Sequence, residues 1–343
     1  MPRSFCTLAP ILMVNVFITI DTELWPFAED WPVTPLDRRS LDLSREVQNY
    51  FYGVTASGEF GVRYQLHTFS KMDLKATFFV EALSAGVIGG DHVRSLVRTI
   101  QDASQEVQLQ VHTEWLGDVD APGLTRQFRQ NLREFPLEEQ TKLVAHGLEN
   151  LREAGARDLV AMRAGNFGGD LNTLRAAKAN DLRIDSSHNV AYIGQACNLP
   201  SLGMLLRPAL IEGVVEIPVS FFSDYPAHFR IVQLCACSFA EIREALNWAW
   251  RDKWQTFVIV MHSFELLKHH SNGSRRPLPH PLHVQRFTRL CQFLSQNRDK
   301  FQTMHFRDFI PSIASVEPMP RWLRARFRDT LHRYGEQALG RAL

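Results

Sequence analysis

The sequence lacks the features that would place it in several common classes of protein. It has five cysteines in 343 residues and no CxxC pair, which argues against a disulfide framework and against a thiolate zinc site. It contains no apolar run of about 18 residues, so we do not expect a membrane span. A formal net charge of +1 gives no general indication of nucleic-acid binding. Hydrophobic residues make up 45% and charged residues 22%, as in an ordinary folded protein.

The stretch that organises the chain is an apolar run over residues 14–20 that ends in Asp21, Thr22 and Glu23. Its continuous β-branched character predicts a strand buried on both faces. Side chains two positions apart on a strand project to one side, so Asp21 and Glu23 should emerge together at its C-terminal end. Catalytic residues gather at that end in barrels and open α/β sheets. Because two adjacent carboxylates repel, we expect a metal ion or a proton between them; a solvated acidic loop is the alternative.

Predicted strands and helices alternate along most of the chain, which is typical of parallel βα units. Strands are predicted over residues 75–80, 106–112, 159–162, 182–185, 214–220, 257–262 and 301–306. Helices are predicted over residues 61–71, 90–104, 136–154, 171–180, 239–251 and 282–297. Residues 26–61 are polar and irregular, which predicts a long loop across the mouth of the site. We therefore expect an N-terminal tail over 1–12 and a single catalytic domain over 13–310.

Residues 311–343 differ from the rest because apolar and basic side chains interleave there. The apolar members include Trp322, Leu323, Phe327, Leu331 and Tyr334, and the basic ones Arg321, Arg324, Arg326, Arg328 and Arg333. This pattern predicts a basic amphipathic helix. Such a helix packs on its own barrel in the more frequent case. The alternative is contact with an anionic membrane surface or a partner protein.

Polar side chains recur where the predicted strands end. They are Asp21, Glu23, His112, Glu114, Arg163, Asp185 and His262. Single members have structural explanations: Arg163 and Asp185 could form a buried ion pair, and Glu114 could cap a helix. Together they are hard to explain by packing, since charged groups are rarely buried unless they are paired or bound.

In this order, the strand-end segments resemble the polysaccharide deacetylase family, which is defined by NodB homology and is also carbohydrate esterase family 4. The matching segments are Ile-Thr-Ile-Asp-Thr-Glu at 18–23, Lys-Ala-Thr-Phe-Phe-Val at 75–80, His-Thr-Glu-Trp-Leu at 112–116, Arg-Ala-Gly-Asn-Phe-Gly at 163–168, Asp185, and Val-Ile-Val-Met-His-Ser at 258–263. The resemblance covers most of residues 13–310. It is strongest for the branch associated with bacterial surface-polysaccharide biosynthesis.

The resemblance implies an α/β fold, a distorted (β/α) barrel of about seven parallel strands. It also implies a metal-dependent hydrolase that removes an N-acetyl group from a sugar of a bacterial surface polysaccharide or its precursor. By position, Asp21 is the general base and His262 the general acid, with Arg163 paired to a carboxylate and Asp185 orienting Arg163. The substrate side is assigned to Trp25, Trp115, Asn166 and Phe167.

The metal motif departs from the family at one position, because Leu116 stands where a second histidine is usual. The predicted ligands of a divalent metal, zinc first, are therefore Glu23, His112 and Glu114, with Gln110 a poor candidate for the third place. A carboxylate-rich open zinc site is chemically acceptable. The alternatives are an O-acetyl or cyclic-amide hydrolase on the same scaffold, and a non-catalytic saccharide-binding barrel, which the missing histidine favours.

The expected partner is an acetylated saccharide, with no nucleic acid. The sequence shows no evident export signal, so we expect a cytoplasmic protein. Peripheral membrane or partner contact through the basic C-terminal helix is an additional expectation.

Overall fold

A computed structural model describes residues 13–26, 31–37, 42–199, 203–268, 276–311 and 321–342, with side chains to residue 338. The strands are β1 (Val14–Thr22), β2 (Val54–Thr55), β3 (Gly58–Glu59), β4 (Ala76–Glu81), β5 (Glu106–Val111), β6 (Ala161–Ala164), β7 (Ile184–Asp185), β8 (Ala209–Ile211), β9 (Val214–Glu216), β10 (Phe221–Tyr225), β11 (His228–Ile231), β12 (Thr256–His262), β13 (Leu267–Lys268), β14 (Leu278–Pro279) and β15 (Phe301–Thr303). The helices are α1 (Leu43–Val47), α2 (Val62–Lys71), α3 (Ala85–Ile88), α4 (Gly90–Asp102), α5 (Leu137–Glu153), α6 (Leu171–Ala179), α7 (Phe239–Arg251), α8 (Pro281–Gln296) and α9 (Phe327–Ala342).

The main sheet is parallel and curled, with the strand order β12, β1, β4, β5, β6, β7, β9. At its edges, β8 pairs antiparallel with β9, and β15 pairs with the start of β1. The segment after β9 brings the two ends of the sheet together. There the Val219 N–H donates to the His188 carbonyl (3.0 Å), and the Ser220 N–H donates to the Val258 carbonyl (3.3 Å). The predicted distorted barrel is confirmed.

The strand β1 lies between β12 and β4 and is covered on both faces, which is why its sequence is apolar on both faces. Val16, Ile18 and Ile20 pack in the large core between the sheet and the helices. Phe17 points to the other side and packs with Phe306 in a small apolar cluster that fills the bottom of the barrel. Because side chains alternate along a strand, Thr19 and Asp21 follow Phe17 upward inside the barrel. The polar site therefore lies above an apolar floor.

The prediction of a long irregular loop over residues 26–61 is wrong for its second half. There the structure has the short helix α1, a π-helical turn over Gln48–Tyr52 and the hairpin β2–β3. Tyr50, Phe51 and Tyr52 are buried in the main core. The predicted strands 214–220 and 301–306 end early, at residues 216 and 303. The predicted tail over 1–12 lies outside the described residues.

The C-terminal helix α9 packs on its own barrel, the more frequent of the two predicted cases. Its Arg333 is 1% exposed and donates to Asp224 (2.8 Å) and Glu241 (3.0 Å). Asp224 belongs to β10 and Glu241 to α7, so this one guanidinium joins the helix to two elements of the barrel. No helix in the described ranges is both long and apolar enough to cross a membrane.

Candidate active site

The carboxyl ends of β1, β5, β6 and β12 bring the predicted polar residues together. In the register of the sheet, Asp21 lies opposite His262, and Gln110 lies opposite Arg163. Glu23 and His112 follow directly after β1 and β5. This agrees with the expectation that catalytic groups collect at this edge of a parallel sheet.

Arg163 is fully buried and holds Asp21 in place. Its Nη1 donates to Asp21 Oδ1 (2.5 Å) and to Thr19 Oγ1 (3.0 Å), while its Nε and Nη2 donate to the carbonyl (3.0 Å) and hydroxyl (3.2 Å) of Ser186. Its guanidinium lies 4.4 Å from the centre of the Phe79 ring. Burial raises the pKa of Asp21, whereas Arg163 lowers it, and the net direction is upward. Asp21 is therefore a fixed carboxylate with raised proton affinity.

Asp185, which was expected to orient Arg163, forms no hydrogen bond or ion pair with it, so the alternative of a buried ion pair does not hold. Asp185 instead accepts from the backbone N–H (2.9 Å) and hydroxyl (3.0 Å) of Ser187, and its carboxyl lies beside that of Glu216. Burial and the charge of Asp185 raise the pKa of Glu216 well above its ordinary value. Asp185 is separated from Arg163 because Ser186 takes the guanidinium hydrogen bonds. Its effect on Arg163 passes through the 185–187 backbone.

Glu23 and His112 form the second polar pair. Glu23 Oε2 lies 2.6 Å from His112 Nε2, and Glu23 Oε1 accepts from Trp25 Nε1 (2.9 Å). Gln110 Nε2 lies 3.1 Å from the same Glu23 oxygen and 3.2 Å from His112 Nε2. Burial raises the pKa of Glu23, but the effect of His112 is larger and opposite, so that the net pKa is lowered to about 2. Burial lowers the pKa of His112, but Glu23 and Glu114 together raise it well above its ordinary value.

Glu114 occupies a different place from the one predicted for a metal ligand. Its Oε2 lies 3.1 Å from His112 Nδ1, the ring nitrogen opposite to the one that Glu23 contacts. Its Oε1 accepts from Asn166 Nδ2 (2.5 Å). A single ion cannot bind His112 Nε2 and also reach a carboxylate on the far side of the ring, so the predicted set of Glu23, His112 and Glu114 is wrong. Glu114 is placed to fix the ring from behind, as carboxylates do for metal-binding histidines.

His262 reaches the site from β12 with its orientation fixed by Glu265. Its Nδ1 lies 2.7 Å from Glu265 Oε1, and its Nε2 faces Glu23 at 3.5 Å. Gln233 Nε2 donates to Glu265 Oε1 (2.6 Å). Burial lowers the pKa of His262, but the hydrogen bond with Glu265 and the charges of Glu23 and Asp21 raise it to about 9. The imidazole therefore presents a proton to the cavity at neutral pH.

The turn after β6 supports His112 at close range. A Cβ at Gly165 would lie 2.6 Å from His112 Nδ1, so only glycine leaves room for the ring. A Cβ at Gly168 would lie 2.5 Å from the Asn131 side chain. Asn166 and Phe167 adopt φ values of 54° and 57°, which is uncommon for residues with side chains and typical of functional loops.

These groups line a cavity of about 480 Å³. Its lining residues are Asp21, Glu23, Gln110, His112, Gln130, Asn131, Asn166, Phe167, Tyr192, Gln195, Ala196, Gln233 and His262. The rings of Phe167 and Tyr192 stack at one wall, 5.9 Å apart. Of the predicted substrate residues, Asn166 and Phe167 reach this cavity.

The two tryptophans predicted to contact substrate do not line the cavity. Trp115 is 1% exposed and packs on Trp31, with ring centres 5.0 Å apart, so a role in contacting substrate is wrong for Trp115. Trp25 lies edge-on to the His112 ring (5.3 Å) and donates to Glu23. Its contacts position those two side chains.

Several residues of the site were not predicted from the sequence. Glu265 lies three positions after His262 and could have been found as an acid in reach of that imidazole. Gln233, Tyr192 and Gln195 come from irregular segments with no motif to mark them.

The fold is similar to that of several solved structures. A structure from Mycobacterium smegmatis assigned to the polysaccharide deacetylases has a TM-score of 0.53 and 18% identity, over 88% of this chain and 91% of that one. A family 4 carbohydrate esterase from Streptomyces lividans has a TM-score of 0.42 and 13% identity, over 86% and 93%. A CE4 family pseudoenzyme from Bacillus anthracis has a TM-score of 0.40 and 12% identity, over 87% and 68%.

No protein-family model and no curated protein matches the sequence. At 18% identity, the similarity to the Mycobacterium smegmatis structure shows the fold alone. The chain therefore has the fold of the polysaccharide deacetylases, as the resemblance in its motifs implied. What it catalyses has to be argued from its own side chains.

Proposed function

We propose that the protein is a deacetylase-type hydrolase that removes an N-acetyl group from a neutral sugar. The observation that carries this proposal is the pairing at one cavity of a carboxylate fixed by Arg163 with an imidazole fixed by Glu265. Asp21 and His262 lie opposite each other on neighbouring strands, so both can reach one bound group. Amide hydrolysis needs a base for water and an acid for the leaving amine, and these two side chains provide them.

The proposed reaction uses the two groups in sequence. Asp21 Oδ takes a proton from water as the oxygen of that water bonds to the acyl carbon. Arg163 aims this carboxylate and favours its ionised form, since its guanidinium is buried and already bonded on three sides. His262 Nε2 then gives a proton to the sugar nitrogen as the carbon–nitrogen bond breaks. Glu265 holds the opposite ring nitrogen, so the proton-bearing edge of His262 stays towards the cavity.

A divalent ion fits this site at Glu23 and His112, although the predicted third ligand does not. Glu23 Oε2 and His112 Nε2 converge to 2.6 Å at the cavity wall, and Glu114 supports the ring from its other nitrogen. Within the described residues, no three side chains of His, Cys, Asp or Glu form a metal-binding group. When bound, the ion would polarise the acyl carbonyl and lower the pKa of a coordinated water. Zinc is the first expectation, given the mixed oxygen and nitrogen donors.

The cavity wall supports a neutral saccharide as substrate. Its polar lining away from the reacting groups consists of amide side chains, which donate and accept hydrogen bonds as sugar hydroxyls require. Phe167 and Tyr192 add an aromatic surface for a sugar ring. Among the described lining residues there is no Lys or Arg to attract an anionic substrate. By its motifs, we assign the sugar to a bacterial surface polysaccharide or its precursor.

We place the reaction in the cytoplasm as part of the same proposal. Cys197, Cys235, Cys237 and Cys291 are free thiols, which suits a reducing compartment.

The activity is tested by measuring acetate released from matched N-acetylated and O-acetylated sugars. We expect release from the N-acetylated set, with a loss of about 10² or more in Asp21→Asn and in His262→Asn. Release only from esters, or ring opening of a cyclic amide without any acetate release, would replace this proposal by another hydrolase on the same scaffold.

A non-catalytic saccharide-binding barrel is the second candidate, and Leu116 is the observation that favours it. Leu116 stands at the usual position of a metal-binding histidine and is fully buried in the core. Sugar binding by calorimetry that is equal in wild type and Asp21→Asn, without acetate release by either, would establish this reading.

We also propose that α9 contacts an anionic membrane surface. Its exposed apolar side chains Phe327, Leu331 and Tyr334 are 78%, 59% and 49% accessible and lie at helical spacing. The side chains of Arg326 and Arg328 beside them are also largely exposed, which matches the charge of such a surface. We expect co-sedimentation with phosphatidylserine vesicles, reduced in Phe327→Ser. Equal binding to neutral phosphatidylcholine vesicles, or no binding to either, would refute the contact.

A further inference from the structure

The side chain of Gln110 has an unmet hydrogen-bonding requirement at the centre of the site. It is 2% exposed, and its Oε1 has no hydrogen-bond partner among the described residues. Buried amide oxygens are normally bonded, and an orphaned one is a sign of a missing ligand or ion. The orphan belongs to a residue that lies within 3.2 Å of both Glu23 and His112.

The amide nitrogen of Gln110, in contrast, lies against both residues. It donates to Glu23 Oε2 (3.1 Å) and lies 3.2 Å from His112 Nε2. The ring nitrogens of His112 each contact a carboxylate, Nε2 with Glu23 and Nδ1 with Glu114. The amide therefore presents its nitrogen to the centre of the site, while its oxygen is left unused.

A cation between these groups would use the orphaned oxygen. A half turn of the Gln110 amide exchanges its nitrogen and oxygen, which brings Oε1 to the side of Glu23 and His112. An ion held there would replace the hydrogen bond that the amide nitrogen gives to Glu23, and it would supply the partner that Oε1 lacks.

We propose that Gln110, through Oε1, is the third protein ligand of a divalent ion held by Glu23 and His112. This inference rests on the proposed function and names the ligand that its metal site lacks. Gln110 and His112 are two positions apart at the end of β5, so they project to one side and can share an ion. Gln110 thus supplies the ligand that position 116 does not.

The donor set has a consequence for the choice of metal. A carboxylate and a carbonyl oxygen with one imidazole form a harder set than two imidazoles with one carboxylate. Carbonyl and carboxylate oxygens suit manganese and magnesium, whereas additional imidazole suits zinc. The ratio of zinc affinity to manganese affinity should therefore be smaller for this site than for a site with two histidines.

The test is to titrate the metal-free full chain with Mn²⁺ and with Zn²⁺ by calorimetry. Gln110→Met keeps the size of the side chain but lacks the oxygen, and we expect it to lose about tenfold or more in Mn²⁺ affinity. Gln110→His should bind Zn²⁺ at least about tenfold more tightly than wild type does. The melting temperature of each metal-free variant controls for folding. If Gln110→Met does not fold, Gln110→Glu takes its place, and we expect it to bind Mn²⁺ more tightly than wild type.

Mn²⁺ affinity equal in wild type and Gln110→Met, or no binding of either ion by wild type, would overturn the inference. Acetate release, measured in parallel, separates this failure from that of the proposed function. If the metal-free protein hydrolyses the substrate, the metal is not needed for the reaction, and the proposed hydrolase stands without it. If an ion binds in a Gln110-dependent way but no substrate is hydrolysed, the metal site stands and the proposed hydrolase function fails.

Discussion

Replacing Gly165 by alanine should disable the site through His112 alone. The added Cβ would lie 2.6, 2.7 and 2.8 Å from His112 Nδ1, Cγ and Cε1. Since ordinary contacts between such atoms begin near 3.5 Å, the ring has to move by about 0.8 Å. The ring is 3% exposed and held at both nitrogens, so this movement distorts its contacts with Glu23 and Glu114. Overpacking of this kind costs about 1–3 kcal/mol of folding stability.

The loss of function should exceed the loss of stability. A displacement of about 1 Å at a reacting or metal-binding group costs about 10² in rate. We would measure urea unfolding and acetate release for Gly165→Ala beside the control Gly169→Ala. Gly169 lies in the same turn, but a Cβ there would meet its neighbours at an ordinary 3.5 Å. If Gly165→Ala kept the activity of the control, the proposed dependence of the site on the position of His112 would be refuted.

Three further predictions concern buried charged groups away from that turn. Glu265→Gln should lower acetate release by about tenfold or more with little change in fold, because His262 loses the carboxylate that orients it. Unchanged kinetics would contradict this prediction. Arg333→Met leaves Asp224 and Glu241 without their shared guanidinium, so urea unfolding should show a loss of about 3 kcal/mol, and an unchanged midpoint would contradict it. Burial raises the pKa of Asp224, but neighbouring arginine and histidine side chains lower it by more than burial raises it. Its net pKa therefore lies below the ordinary 3.8. Its contribution should therefore be complete above pH about 4 and be lost as the pH falls through that lower value, which acid titration of stability would show.

The fold could be predicted because its causes are local. A strand buried on both faces has to be apolar throughout, and alternation with amphipathic helices leaves few topologies open. The positions of Asp21, Arg163 and His262 follow from the same logic, since parallel strands deliver their last residues to one edge. The elements of segment 43–59 could not be predicted from the sequence, because its helical turns and its hairpin are each too short to show a period.

The ligand set could not be predicted because sequence spacing does not say which atom of a side chain is reached. Glu114 follows His112 by two positions, and spacing alone puts both at the site. A 3₁₀ turn over Thr113–Gly117 carries Glu114 round to the far ring nitrogen. Trp115 turns inward on the same backbone and packs in the core. Gln110 was the weaker candidate by chemistry, and only its orphaned oxygen distinguishes it.

The most direct test of the account is acetate release from an N-acetylated oligosaccharide by wild type and by Asp21→Asn. The substituted side chain keeps the size of aspartate, so Arg163 retains an oxygen to bond while the base is lost. We predict turnover by wild type and a loss of about 10² or more in the variant at equal melting temperature. Equal release by both proteins, or none by wild type with metal added, would contradict the assignment of this cavity as a hydrolase site.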